Sequence, residues 1–258
     1  MSLTLIAFSL SPSAWARGYG QTGDHSITVG AGYSSPSDTT ALTENPSALV
    51  FNNRPLLSGA AETEQKNFNP WTAEAGLFLG NGQVGAGVAV DHLMKSGNPY
   101  YVAGGLAAQI EPLHTALGIT CGGTTDNSIA FACNAVGIMI TPANGLRLGA
   151  TGYNLINSSA TKYYGFGVSI PANTYATISL DGSTDSQGKG SMFEPALGIA
   201  LSSLELMGGY GFSLDSNSQI GIRQGAQAGL GFKLGPQMHV EAYYNHLAHY
   251  FLALTLLL

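Results

Sequence analysis

The chain has 258 residues, and only 9% of them are charged, with 9 Lys or Arg and 15 Asp or Glu. An ordinary soluble domain carries about 25% charged residues, so this chain has too few charges for a surface that faces water on all sides. Its formal charge of −6 provides no basic surface for nucleic acid. Beyond the N-terminus, no apolar run reaches the length of about 18 residues that a membrane-spanning helix requires. A charge-poor chain with 35 glycines therefore favours a closed transmembrane β-barrel.

The first residues have the form of a signal peptide. Leu3–Leu10 is a short apolar stretch, and Ala14-Trp15-Ala16 has the small-x-small pattern that signal peptidase cleaves. We therefore expect residues 1–16 to be removed on export. Export places the mature chain in an oxidising compartment.

The two cysteines, Cys121 and Cys133, are separated by a turn-rich stretch. A hairpin centred near Asn127 would bring the two sulfur atoms opposite each other, so we expect a structural disulfide. A redox or metal site is less favoured, because the sequence has no C-x-x-C motif and no histidine near either cysteine.

Apolar residues recur at every second position in most of the chain, as they do in the strands of a transmembrane barrel. The alternation is clearest in residues 83–91, 204–215 and 219–234. It is weaker in residues 71–79, 146–153, 163–170, 174–181 and 193–201, and least certain near Leu56, Tyr101, Leu113, Ile129, Val240 and Leu252. Each segment is long enough to cross a bilayer as a tilted strand.

Turn signals separate these segments. Asn81-Gly82, residues 142–145, residues 171–173 and Gly235-Pro236 are typical of short periplasmic turns, whereas the polar residues 181–190 indicate an external loop. We therefore predict that residues 55–258 form an all-β, antiparallel up-and-down barrel of about 14 strands, with 12 strands also possible. A soluble β-sandwich is the competing fold, and it would need more surface charge.

The few charged residues in the strands fall on the face opposite to the apolar one. Alternation assigns Glu74, Arg147, Glu205, Arg223 and Glu241 to the lumen, where charge avoids contact with lipid. They either neutralise one another there or contact a plug and tune permeation.

Residues 34–54 lack the alternation. The string D-x-x-A-L-x-x-N-P-S-A-L runs from Asp38 to Leu49. It resembles the N-terminal hatch of the FadL/TodX family of outer-membrane transporters, whose signature is Asn-Pro-Ala followed by a hydrophobic residue. The resemblance implies that residues 17–54 form a plug inside the barrel, with Asp38, Asn45, Pro46, Ser47 and Leu49 as hatch residues.

The resemblance also implies a function, the passive uptake of hydrophobic compounds such as long-chain fatty acids or aromatic hydrocarbons, gated by the hatch. The alternative is a non-transporting structural or surface-interaction barrel with a filled lumen. Either protein would lie in the outer membrane of a Gram-negative bacterium. Both would contact membrane lipid and the outer-membrane assembly machinery, and the transporter would also bind a hydrophobic ligand. The oligomeric state stays open.

No enzymatic chemistry is indicated by the sequence. The string Gly18–Gly23 matches G-x-G-x-x-G without a preceding strand, and no nucleophile elbow occurs. His239 and His246 differ in parity and would face opposite sides of one strand, which disfavours a metal site. We therefore expect no catalytic activity, no cofactor and no metal.

Overall fold

A computed structural model describes most of the chain from residue 32 onward. The described residues are 32–34, 36, 41–42, 44–52, 55–63, 72–92, 100–111, 113–126, 131–142, 145–156, 162–172, 175–188, 191–213, 225–245 and 249–258. The predicted signal peptide, most of the predicted plug, Asp38, Arg223 and His246 lie outside these residues. The division into residues 1–16, 17–54 and 55–258 therefore stays a prediction.

The described chain contains one short 3₁₀ helix followed by strands. The helix is Pro46–Phe51. The strands are β1 (Leu56–Thr63), β2 (Thr72–Gly80), β3 (Val84–His92), β4 (Tyr100–Ile110), β5 (Thr115–Thr124), β6 (Ala132–Ile140), β7 (Arg147–Tyr153), β8 (Tyr163–Pro171), β9 (Ala176–Asp185), β10 (Met192–Leu201), β11 (Leu204–Ser213), β12 (Gly225–Lys233), β13 (Met238–Asn245) and β14 (His249–Leu257). No helix among the described residues is long and apolar enough to cross a membrane.

The strands form one closed antiparallel barrel in which each strand pairs with its neighbours in sequence. The barrel closes between β1 and β14, where Leu56 is the register partner of Leu257 and Thr63 that of Tyr250. In the part of the chain that the structure describes, the barrel has 14 strands, β1 to β14. The larger of the two predicted strand counts is thus confirmed.

Side chains alternate between an apolar exterior and a small or polar lumen face. In β12, Leu230 and Phe232 are exposed on the exterior, whereas Gly229 and Gly231 are buried on the lumen side. The exterior carries many exposed aliphatic side chains, of which Leu106 is 64% exposed. Burial of such a surface is favourable in a bilayer and unfavourable in water, so the strands span a membrane.

The two ends of the barrel differ in the length of their connections. Residues 81–83 and 202–203 form short turns at one end, and at the same end the N–H of Leu258 donates a 2.9 Å hydrogen bond to the carbonyl of Pro55. At the other end the strands are further apart in sequence, with residues 93–99 between β3 and β4 and residues 214–224 between β11 and β12. In outer-membrane barrels the short-turn end is periplasmic.

One predicted boundary is wrong. The polar residues 181–190 were expected to form an external loop, but β9 continues to Asp185. Gly182 pairs with Phe166 on β8 and with Phe193 on β10, so this polar stretch is held in the sheet from both sides. The strand therefore brings Asp181 into the lumen, where it is 1% exposed.

Candidate functional site: the barrel lumen

The inner face of β2–β6 is covered by residues 41–42 and 44–52, which we call the N-terminal segment. Leu42, Leu49 and Val50 are at most 2% exposed. They pack in one cluster with wall residues that include Phe78 and Met139. One side of the lumen is thus an apolar core shared by the wall and the N-terminal segment.

Asn45 connects the N-terminal segment to the wall. It is the N-cap of the 3₁₀ helix, and its Oδ1 accepts hydrogen bonds from the N–H of Ser47 at 3.2 Å and from the hydroxyl of Ser47 at 2.6 Å. Its Nδ2 donates to the carbonyl of Tyr33 at 2.7 Å and to that of Ile138 on β6 at 3.2 Å. The amide is fully buried, and each of its polar atoms has a protein partner.

The predicted hatch residues that the structure describes lie together on this side of the lumen. Asn45, Pro46, Ser47 and Leu49 are all buried. Pro46 occupies the first turn of the helix, where its missing N–H costs nothing. Their position inside the barrel does not establish that they gate it.

Wall glycines give the N-terminal segment its space. A Cβ added at Gly85 would overlap the carbonyl of Leu49, and one at Gly118 would overlap the backbone of Pro46 and Ser47. A Cβ added at Gly137 would likewise overlap the side chain of Asn45. The backbone of the segment therefore lies directly on the backbone of the wall at Gly85 and Gly118, and its Asn45 side chain lies on the wall at Gly137.

Further contacts tie the N-terminal part of the chain to β7–β9. The carbonyl of Glu44 accepts hydrogen bonds from the Thr151 hydroxyl and the Tyr153 phenol, both at 2.8 Å. The Ser34 hydroxyl donates to Asp181 Oδ1 at 3.3 Å, and the Ser169 hydroxyl donates to the carbonyl of Ser34, also at 3.3 Å. The N-terminal part of the chain thus contacts polar as well as apolar wall residues.

The opposite side of the lumen holds a network of ionisable side chains on β11–β13. Glu205 Oε1 lies 3.1 Å from Lys233 Nζ, and Glu205 Oε2 lies 3.5 Å from His239 Nε2. His239 Nδ1 is 3.4 Å from Glu241 Oε1, and the Tyr243 phenol donates to Glu241 Oε2 at 3.0 Å. Glu205, His239 and Glu241 are at most 2% exposed, so this network is buried.

A second acidic pair lies nearby on β9 and β10. Asp181 and Glu194 are direct register partners, and both are at most 1% exposed. The two carboxylates point away from each other. That of Asp181 lies over Gly167 on β8, and that of Glu194 lies close to Gly209 on β11. Gln227 Nε2 donates to Glu194 Oε2 at 2.8 Å. Neither acid is among the charged residues that the alternation assigns to the lumen.

The remaining predicted lumen residues are distributed around the wall. Glu74 is half-buried on the lumen side of β2, and Arg147 is buried on β7 with its guanidinium carbon 5.8 Å from the centre of the Phe51 ring. Within the described ranges, no three His, Cys, Asp or Glu side chains are placed to hold a metal ion.

Cys121 and Cys133 form a disulfide between β5 and β6 near the long-loop end. They are register partners because a β-bulge shifts the pairing between Thr120 and Cys121. Without the shift, Cys133 would share the lumen parity of Ala135 and Gly137. The bulge re-aims it toward the exterior side on which Cys121 lies.

The barrel resembles solved outer-membrane proteins in fold. The outer membrane protein Omp33 of Acinetobacter baumannii superimposes with a TM-score of 0.54 at 10% identity, covering 78% of this chain and 95% of that protein. KdgM porin gives a TM-score of 0.47 at 6% identity over 79% of this chain and 99% of its own. A triple mutant of the Rhodopseudomonas blastica porin gives 0.45 at 6% identity over 78% and 97%.

Comparisons at the level of sequence give no relative. No family model matches the chain. No curated protein matches it either. At 10% identity the likeness to Omp33 shows the fold alone, and with the apolar exterior it confirms the expected location in the bacterial outer membrane.

The expected membership of the FadL/TodX family is wrong. The barrel shares its fold with Omp33, and no family model supports the resemblance to those transporters. The N-P-S-A-L string has a local explanation, since an Asn N-cap followed by Pro in the first turn starts a helix in unrelated proteins. A short motif of this kind does not identify a transporter.

Proposed function

We propose that the protein is a passive outer-membrane channel of low conductance for small hydrophilic solutes, with a preference for cations. The observation that carries the proposal is the two-sided lumen. The N-terminal segment covers the apolar side, and the other side carries four acids, Asp181, Glu194, Glu205 and Glu241, against two basic side chains, Lys233 and His239. A surplus of carboxylates along a narrow passage attracts cations and repels anions.

The same geometry argues against the uptake of hydrophobic compounds. The apolar wall of β2–β6 is already occupied by Leu42, Leu49 and Val50. Displacing each of these side chains would cost about 1.5–3 kcal/mol. A hydrophobic solute would have to replace them, and the expected gating by a hatch has no support from the contacts described here. In the proposal, the N-terminal segment narrows the lumen as a fixed part of the barrel.

A second candidate is a non-transporting barrel with a filled lumen. It is favoured by the near-complete burial of the acidic side chains, since Glu194 is 0% and Glu205 2% exposed. A wide water-filled passage would leave such side chains accessible. The two candidates therefore differ in whether water and ions can pass along the polar side of the lumen.

Planar-bilayer recording separates them. The purified full-length barrel is expected to give small currents whose reversal potential in a salt gradient shows a preference for cations. Asp181→Asn should move that potential toward zero, whereas Glu111→Gln, on an exposed turn, should not. Anion selectivity, or equal effects of the two variants, would contradict the channel proposal. A folded, heat-modifiable barrel that never conducts would establish the second candidate.

A further inference from the structure

The exterior wall of β2–β6 contains a long apolar groove. It consists of two adjoining depressions of about 790 and 390 Å³, which share Leu79, Ala86, Leu106 and Ile119. Its ridges are exposed aliphatic side chains, among which Leu106 is 64% and Val84 55% exposed. The groove runs along the membrane-facing surface from the short turn at Asn81 toward the middle of the wall.

The floor of the groove is formed partly by backbone. Gly85 and Gly118 line it from the outside, and at the same two residues the N-terminal segment touches the wall from the inside. The wall at these positions is one backbone layer thick. Because the segment supports this layer from within, the groove is a fixed feature of the folded barrel and does not collapse into the lumen.

We propose that this groove binds one acyl chain of a membrane phospholipid. It lies on the surface that faces the bilayer, and it is concave, whereas the exterior of a second barrel is convex and would bridge the groove without filling it. None of the residues that line it is charged. Recognition therefore rests on the length and shape of the chain and not on the headgroup.

Two matched glycine substitutions test the site. Gly104 lies in the groove, and a Cβ there would meet its nearest heavy atom, the Gly87 carbonyl oxygen, at an ordinary 3.7 Å. Gly208, on the exterior of β11, has nothing within 4 Å of such a Cβ. Gly104→Phe therefore fills the groove, and Gly208→Phe places the same side chain on the opposite wall. Ala86→Phe fills the groove from a second position.

Native mass spectrometry of the full-length folded barrel is the measurement. We expect one dipalmitoyl phospholipid to be retained, equally for phosphatidylglycerol and phosphatidylethanolamine, and a dihexanoyl lipid not to be retained. Gly104→Phe and Ala86→Phe should each lower retention about tenfold, while Gly208→Phe should not.

Three results would overturn the proposal. Retention that is unchanged in both groove variants would place the lipid elsewhere. Retention of only one headgroup would show that the apolar groove is not what is recognised. A dimer that replaces the lipid adduct and is lost in the groove variants would show that a second copy of the chain covers this surface. Heat-modifiability on a gel verifies that every variant is folded.

Discussion

Asn45 Nδ2 and the carbonyl of Ile138 form a hydrogen bond of 3.2 Å between positions 93 residues apart in the chain. The bond joins the N-terminal segment to β6, the sixth strand of the barrel. Because Asn45 is fully buried, little water competes for this hydrogen bond, so it fixes the position of the segment more strongly than a surface contact would.

The first prediction concerns that bond. Asn45→Ala removes the cap of the 3₁₀ helix and leaves the carbonyls of Tyr33 and Ile138 without this donor. We expect the free energy of unfolding to fall by about 1–3 kcal/mol. Urea titration of the barrel refolded into lipid vesicles measures it, with the exposed Gln187→Ala as control. An Asn45→Ala barrel as stable as the control would show that the segment contributes little to the fold.

The second prediction concerns the space that wall glycines provide. Gly85→Ala places a methyl group against the carbonyl of Leu49, and a backbone atom cannot rotate away as a side chain would. We expect a loss of about 1–3 kcal/mol from overpacking. Gly208→Ala is the matched control, since space around that exterior glycine is open. Equal unfolding midpoints for the two variants would contradict the close contact between the segment and β3.

Much of the barrel could be predicted from the sequence because alternation has a direct physical cause. Every second side chain in a membrane-spanning strand meets lipid, so Leu230 and Phe232 stand out against Gly229 and Gly231. The same parity assigns Glu205 and Glu241 to the lumen face, which is where the structure has them. Their roles in permeation stay a prediction.

The sequence is least informative where structure depends on more than local composition. Asp181 is predicted as the end of one strand segment and the start of a polar loop, because Gly, Ser and Thr follow it, yet pairing with β8 and β10 keeps residues 182–185 in the strand. The bulge that re-aims Cys133 leaves no pattern that parity alone would detect. The contacts between Asn45 and Ile138 depend on the closed barrel and have no signal in either residue's neighbourhood.

The third prediction concerns the buried pair of Glu205 and Lys233, whose charged atoms lie 3.1 Å apart. Lys233→Met leaves Glu205 with a weaker partner in His239 and should cost about 3–5 kcal/mol. The double variant Glu205→Gln, Lys233→Met should lose less than the sum of the single losses, because it removes both charges. Additive losses in the urea titration would show that the two side chains do not interact.

The fourth prediction concerns the disulfide. Cys121 and Cys133 are 12 residues apart in sequence, so the bond closes a small ring of the chain between β5 and β6. We expect the double variant Cys121→Ala, Cys133→Ala to lose about 2–4 kcal/mol of stability, because the bond restricts the unfolded chain.

Reduction of the bond tests this prediction on the native barrel. The native barrel should take up an alkylating reagent only after reduction, as read from its mass. Reduction should lower its urea midpoint to that of the double variant and leave the double variant unchanged. A reductant effect of the same size on both proteins would show that the stabilisation does not come from this bond.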